Sequence, residues 1–291
     1  MARDTEIRIK FETYPPDPLP PAIYEGKGDT RGEVPIKDDR MTRQVEMHNL
    51  DYDKMADTYT RHRKANLPVL KELQRKWKAS PESKILEIGC GTGAYLQSLV
   101  EATGCQGWGI DPSREMIRRA QADTNTHYSE GKAEELPFHD GSFHLVFSVN
   151  VVHFVQDTLT YLREAHRVLK PDGLLCIVTD SEKIIRNRWP FAHYWPGTID
   201  ADLKRYPKIS LLKRQMAAAG FVDIEEQEIQ FLYKITDVTP YRDKVYSCLH
   251  LISGDEFQSG LQRLETDLKA GPVQGASAYA CLWGRVPSDI Q

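Results

Sequence analysis

Three glycines at alternate positions, Gly89, Gly91 and Gly93, follow the short run Ile85, Leu86, Glu87, Ile88. Glycines between a strand and a helix let backbone N–H groups approach a nucleotide-like ligand closely. The spacing is G-x-G-x-G, with an acid, Glu87, two residues before the first glycine. The dinucleotide fingerprint is instead G-x-G-x-x-G, which seats a pyrophosphate on a helix N-terminus. Asp111 stands eighteen positions after Gly93 and closes the next apolar run. A carboxylate there accepts hydrogen bonds from both hydroxyls of a ribose, or caps a helix. The Met116 thioether suits packing on a purine ring, or simple core packing. His153 leaves a later apolar run; its ordinary pKa suits a general base, and a hydrogen-bonded structural role is the alternative.

These residues need a scaffold of alternating elements. From Lys84 the pattern reads strand 85–88, helix 95–103, strand 107–110 ending at Asp111, helix 113–122, a short strand at 127–128, and a buried strand 143–149. A helix 159–169, a turn at Pro171, Asp172 and Gly173, and a strand 174–179 follow. Strands separated by helical patterns predict βαβ units and a parallel sheet, an α/β fold. Beyond Asp180 the reading is an aromatic-rich irregular stretch (189–206), a helix 211–219 ended by Gly220, a strand 222–229, helices 241–252 and 255–268, and a strand 278–286. Ahead of the alternating region, 41–79 reads as helical, with Leu70, Leu73 and Trp77 on one side and Pro68 in a first turn. Residues 1–40 read as an extended arm. Ile7, Ile9 and Phe11 alternate with charged residues before five prolines. The domain organisation expected is therefore an arm (1–40), a helical lid (41–80) and a main domain (81–291). The main domain divides into a cofactor half (81–180) and an acceptor half with a helical insertion (181–291).

Composition removes several classes of function. The chain of 291 residues has 40% hydrophobic and 27% charged residues, close to the globular average, so wholesale disorder is excluded. With 38 Lys+Arg against 42 Asp+Glu there is no global basic surplus for a nucleic-acid backbone. The longest apolar stretch, 143–155, is too short and too polar to span a bilayer. The first residues lack an apolar signal region, and a cytoplasmic protein is expected. The five cysteines, Cys90, Cys105, Cys176, Cys248 and Cys281, form no C-x-x-C pair, so they read as buried hydrophobes and no metal site is expected.

A ligand without pyrophosphate fits the glycine spacing. S-adenosylmethionine carries an amino acid zwitterion, a sulfonium and an adenosine. N–H groups around Gly91 and Gly93 would meet its carboxylate, and Glu87 would favour its ammonium or sulfonium. Three further signals come in order: Gly131, Lys132, Ala133, Glu134, Glu135, Leu136, Pro137 and Phe138; then Asn150, Val151, Val152 and His153; then Lys170, Pro171, Asp172 and Gly173. Together these motifs resemble the class I S-adenosylmethionine-dependent methyltransferases, most closely the small-molecule branch related to quinone and natural-product methyltransferases. The resemblance is specific over 52–179. Tyr52, Asp53, Ala56 and Tyr59 resemble that branch's lid helix. It implies a Rossmann-like sheet of seven strands, mostly parallel, flanked by helices on both faces, with an antiparallel last strand. The closing pair would be 222–229 and 278–286. It also implies cofactor contacts from Tyr52, Glu87, Gly89, Gly91, Gly93, Asp111, Met116 and Asn150. The family often places an acid where Lys132 stands, so Ala133 or Glu134 must serve the adenine here. Where the branch often has two adjacent histidines, this chain has His153 followed by Phe154.

The function expected is methyl transfer from S-adenosylmethionine to a small aromatic or apolar acceptor, with His153 as catalytic base. Two alternatives stay open: a protein-substrate methyltransferase, and a cofactor-binding module without catalysis. A nicotinamide dehydrogenase is disfavoured by the glycine spacing. The Asn-Pro-Pro-Tyr-type tetrapeptide of amino-base methyltransferases is absent after the strand 143–149, so a nucleic-acid partner is not expected. A homo-oligomer would form through the arm.

Overall fold

The computed structural model describes residues 52–62 and 64–288, which fall within the unit Asp39–Gln291. The arm expected at 1–40 and the first part of the helix expected at 41–79 lie outside the described residues. Among the described residues seven strands form one sheet: β1 Lys84–Ile88, β2 Gln106–Asp111, β3 Thr126–Glu130, β4 Phe143–Val149, β5 Leu169–Thr179, β6 Val222–Ile235 and β7 Val273–Arg285. Their order is β3-β2-β1-β4-β5-β7-β6. The first five pair in parallel, and β7 runs antiparallel between β5 and β6.

Side chains alternate across a strand, so each strand feeds two cores. Leu86, Ile88, Val146, Leu175 and Ile177 join one cluster, with Tyr161, Leu162 and Met216 from the helices Thr158–Val168 and Ile209–Ala218. Ile85, Leu145, Phe147, Cys176 and Val178 join the other, with Leu73, Leu96 and Leu99 from the helices α2 (Leu67–Lys76) and α3 (Ala94–Thr103). With both faces covered, β4 and β5 read as continuous apolar runs. A third cluster, containing Trp195, Tyr241, Leu249 and Leu264, packs under the ends of β6 and β7 that extend past β5. All five cysteines are free and buried.

The structure differs from the sequence pattern in five places. The described part of the first helical region is two helices, α1 (Tyr52–His62) and α2, and the Asn66 side chain caps the second. The turn expected at 171–173 is a bulge within β5, where the ladder jumps from Leu169 to Leu174 and Asp172 takes a positive φ. The closing strands are longer than expected because they also roof the third cluster. The helix expected at 241–252 is a short helix, Thr239–Arg242, and a 3-10 turn, Ser247–His250. Lys244 between them takes a left-handed φ of 50°. Breaking the helix there lets Tyr241 and Leu249 enter the cluster while Ser247 meets Arg205. The aromatic stretch 189–206 holds the short helices Phe191–Tyr194 and Gly197–Arg205. No helix of the described residues is long and apolar enough to cross a membrane.

Candidate active site

In an open parallel sheet, ligands bind beyond the carboxyl ends of the strands, where the strand order reverses. Here that point lies between β1 and β4. The loop after β1 is tied to the next strand, because Gly89 N and Cys90 N both donate to Ile110 O, at 2.8 and 2.9 Å. Gly89 and Gly93 require their glycines. Their φ values are 68° and 80°, and a Cβ would run into Val151 at the first and the Tyr128 ring at the second. Gly91 N donates to Asp111 Oδ2 at 2.8 Å and Ser113 N to Oδ1 at 2.9 Å. Burial raises the Asp111 carboxyl above its ordinary range, against those two hydrogen bonds.

Glu87 lies beneath the loop, 2% exposed, and its Oε2 accepts from Leu96 N at 3.0 Å in the first turn of α3. Burial pushes its carboxyl well above the usual carboxylate range; the Leu96 bond opposes this and the Asp111 charge adds to it. Glu87 lines a small cavity of about 100 Å³. That cavity shares Tyr59, Asn66, Gly89 and Asn150 with a larger one of about 620 Å³. Asn150 follows β4 with φ 57°, and its buried Oδ1 has no hydrogen-bond partner.

The larger cavity brings together Tyr52, Gly89, Gly91, Asp111, Met116, Asn150 and His153. Ser113 caps the helix α4 (Arg114–Arg119), which carries Met116. Asp53 of α1 docks on the same turn, its Oδ1 accepting from Ser113 Oγ at 2.5 Å and from Glu115 N at 3.2 Å. Three of the expected contact residues line neither cavity. Gly93 begins α3 and is absent from the lining of both cavities. Ala133 packs against the core, and Glu134 Oε1 accepts from Gln156 N and Asp157 N at 2.9 and 3.4 Å. Neither of these two lines the cavities, because the Glu134 carboxylate ties its own loop to the segment that begins the helix Thr158–Val168.

The far end of the larger cavity is both aromatic and charged. His153, 3% exposed, stacks on Tyr206 with centroids 3.9 Å apart and planes at 18°. Its Nδ1 is buried without a partner. Burial drives the imidazole well below its ordinary pKa, and Arg205 and Arg188 push it further. Arg188 Nη1 donates to Asp180 Oδ2 at 2.8 Å and its Nη2 donates to Asp202 Oδ2. Arg205 Nε donates to Asp202 Oδ1 at 2.7 Å and its Nη2 to Ser247 Oγ at 2.8 Å. Asp180, Arg188 and Arg205 line the cavity, and Asp202 lies behind them fully buried. From the sequence Asp180, just after a strand, reads as a residue that faces the cleft or caps a turn, whereas nothing there marks Arg188, Asp202 and Arg205. The last two sit three apart on a helix, the ordinary pattern of a surface ion pair. Among the described residues no cluster of three or more His, Cys, Asp or Glu side chains is placed to hold a metal.

The donor set fits S-adenosylmethionine. Glu87 and the orphaned Asn150 Oδ1 are acceptors beside the loop, Asp111 retains acceptor capacity, and the Met116 thioether forms an apolar wall.

Comparison with known proteins agrees with that reading. The family described as Methyltransferase domain matches residues 86–177. The demethylmenaquinone methyltransferase of Lactococcus lactis subsp. lactis (strain IL1403) is 30% identical over 204 residues, covering 61% of this chain and 80% of the relative. That of Geobacillus stearothermophilus is 28% identical over 221 residues, covering 67% and 94%. Among solved structures, a putative methyltransferase from an antibiotic biosynthesis pathway of Anabaena variabilis ATCC 29413 superposes with a TM-score of 0.63 at 19% identity, covering 76% of this chain and 98% of that one. At that identity the likeness speaks for the fold.

Proposed function

The chain belongs to the class I S-adenosylmethionine-dependent methyltransferases, and from that premise we propose that it methylates a small aromatic acceptor held at the far end of the 620 Å³ cavity. The observation that carries this reading is continuity. One cavity runs from Gly89, Asp111 and Met116 to Phe191, Tyr206, Phe231 and Tyr233. Apolar and aromatic walls with a few convergent polar groups suit a planar organic ligand. The relatives named above are demethylmenaquinone methyltransferases, and a quinone acceptor supports the same class.

S-adenosylmethionine supplies a methyl group already activated on its sulfonium. What remains for the protein is alignment, exclusion of water and management of a proton. Asp111 would accept from the ribose hydroxyls. Asn150 Oδ1 and Glu87 would hold the ammonium. Tyr52 and Met116 would flank the nucleoside, with α1 acting as a lid over it. His153 is the proposed base. Its neutral form is maintained by burial and by two nearby guanidinium groups, and in the Nε2–H tautomer the unpartnered Nδ1 accepts the proton. The same surroundings make the imidazolium costly, so the ring suits an acceptor whose proton is already acidic.

The test is titration with S-adenosylhomocysteine, then incubation with labelled S-adenosylmethionine and a panel of phenols, quinols and amines. Uptake of the thioether and label in an aromatic product are expected. Uptake with no label transferred to any small acceptor would overturn the acceptor proposal in favour of a protein substrate or a binding module.

A further inference from the structure

The charged quartet at the far end of the cavity has an unusual hydrogen-bond balance. Asp180, Asp202 and Arg205 are each at least nine-tenths buried, and the Arg188 side chain is 11% exposed. Two carboxylates and two guanidinium groups cancel in charge. Asp202 holds both arginines, and Arg188 also holds Asp180. Three buried atoms of this set have no partner: Asp180 Oδ1, Arg188 Nε and Arg205 Nη1. That is one acceptor atom and two donor atoms, of which Arg205 Nη1 carries two N–H groups. Leaving such groups unpaired in a low-dielectric site is costly, so the arrangement is informative about its ligand.

The guanidinium planes are held on rings, Arg188 4.9 Å from the Phe191 centroid and Arg205 5.5 Å from that of Phe154. Their free N–H groups are therefore pre-positioned. A group that gives each of these three atoms a partner must offer one proton and two lone pairs. It must also be neutral, because an added charge would be left unbalanced in a buried site. A hydroxyl meets both conditions, and a carboxylate meets neither.

We propose that Asp180, Arg188 and Arg205 form a hydroxyl-recognition subsite, which selects acceptors bearing a ring hydroxyl. The hydroxyl donates to Asp180 Oδ1 and accepts from Arg188 Nε and Arg205 Nη1. Asp202 acts behind them as a positioning residue. This rests on the reading of the cavity as an acceptor pocket and adds to it the polar group the acceptor must carry.

The experiment is calorimetric titration of the full chain, saturated with S-adenosylhomocysteine, with 2-naphthol, 2-methoxynaphthalene and 2-naphthoate. The three share a ring system and differ in the proton and the charge. The hydroxyl compound is expected to bind about tenfold or more tighter than the methoxy compound, the scale of a hydrogen bond to a charged partner, and tighter than the carboxylate. Asp180→Asn gives the set a net positive charge and is expected to reverse the order, with 2-naphthoate ahead of 2-naphthol. Arg205→Lys keeps the charge, loses Nη1, and is expected to weaken 2-naphthol about tenfold. S-adenosylhomocysteine affinity reports whether each variant is folded, and the wild-type comparison stands without either. Equal affinity for hydroxyl and methoxy compounds, or preference for the carboxylate in the wild type, overturns the subsite and leaves the methyltransferase reading intact. Binding of none of the three, with S-adenosylhomocysteine bound, removes the aromatic acceptor proposal and the subsite together.

Discussion

At the scale of single residues, the half-buried Asp111 and the buried Glu87 and His153 lead to three distinct expectations. Asp111→Ala should weaken S-adenosylhomocysteine binding by about 1–3 kcal/mol, the scale of a lost charged hydrogen bond, as read by calorimetry. Unchanged affinity would remove Asp111 from the ribose site. Glu87 titrates higher in the folded protein than in the unfolded chain. Its contribution to stability is therefore full below the ordinary carboxylate range and is lost as pH rises through the elevated folded value. Glu87→Gln should raise the melting temperature of the free protein more at pH 8 than at pH 4, while weakening the cofactor that needs the charge. For His153 the sign is opposite. Its folded pKa lies well below the unfolded one, so its contribution is full above about pH 6.5, the ordinary histidine value, and is lost as pH falls. If it is the base, His153→Ala should lower turnover by roughly 10²–10⁴-fold, and the wild-type rate should show no inflection near pH 6.5 from this ring. A nearly unchanged rate would assign His153 to the wall of the cavity.

At the scale of elements, the lid and the adenine-side helix form one mechanical unit. Asp53 reaches the cap of α4, and Arg119 near the other end of α4 holds Asp57 of α1, its Nε at 3.1 Å. Met116 lies between these two attachments. Asp53→Ala should therefore loosen α1, increase amide exchange over 52–62, and weaken S-adenosylhomocysteine about three- to tenfold, with exchange in β1 and β4 unchanged. Exchange rising equally across the sheet would mean that Asp53 supports the whole fold instead. The alternation of apolar strands and amphipathic helices between Lys84 and Thr179 was legible in its order of elements, because each carries its own period. The stretch 241–252 was not. Tyr241, Cys248 and Leu249 have helical spacing, but the packing of Tyr241 and Leu249 and the reach of Ser247 to Arg205 break the helix at Lys244.

At the scale of the molecule, the cavity lies between two separately cored regions. The sheet and its helices hold the glycine loop, and the long β6–β7 pair carries the third cluster that encloses the aromatic end. Leu264 is fully buried in that cluster. Leu264→Ala should cost about 2–5 kcal/mol by chemical denaturation, with the increase in amide exchange concentrated in 239–270. Loss spread evenly over β1 to β5 would argue for a single cooperative core. What the chain determined by itself was local: the loop glycines, the carboxylates at strand ends, and the period of each element. These depend on backbone conformation and short-range spacing. Tertiary structure alone decided that Glu134 bonds a neighbouring loop, and that Asp180, Arg188, Asp202 and Arg205, spread over 26 positions of sequence, share one buried site. Burial is what turns those four charges from ordinary surface groups into a selective surface, and burial depends on how distant segments pack.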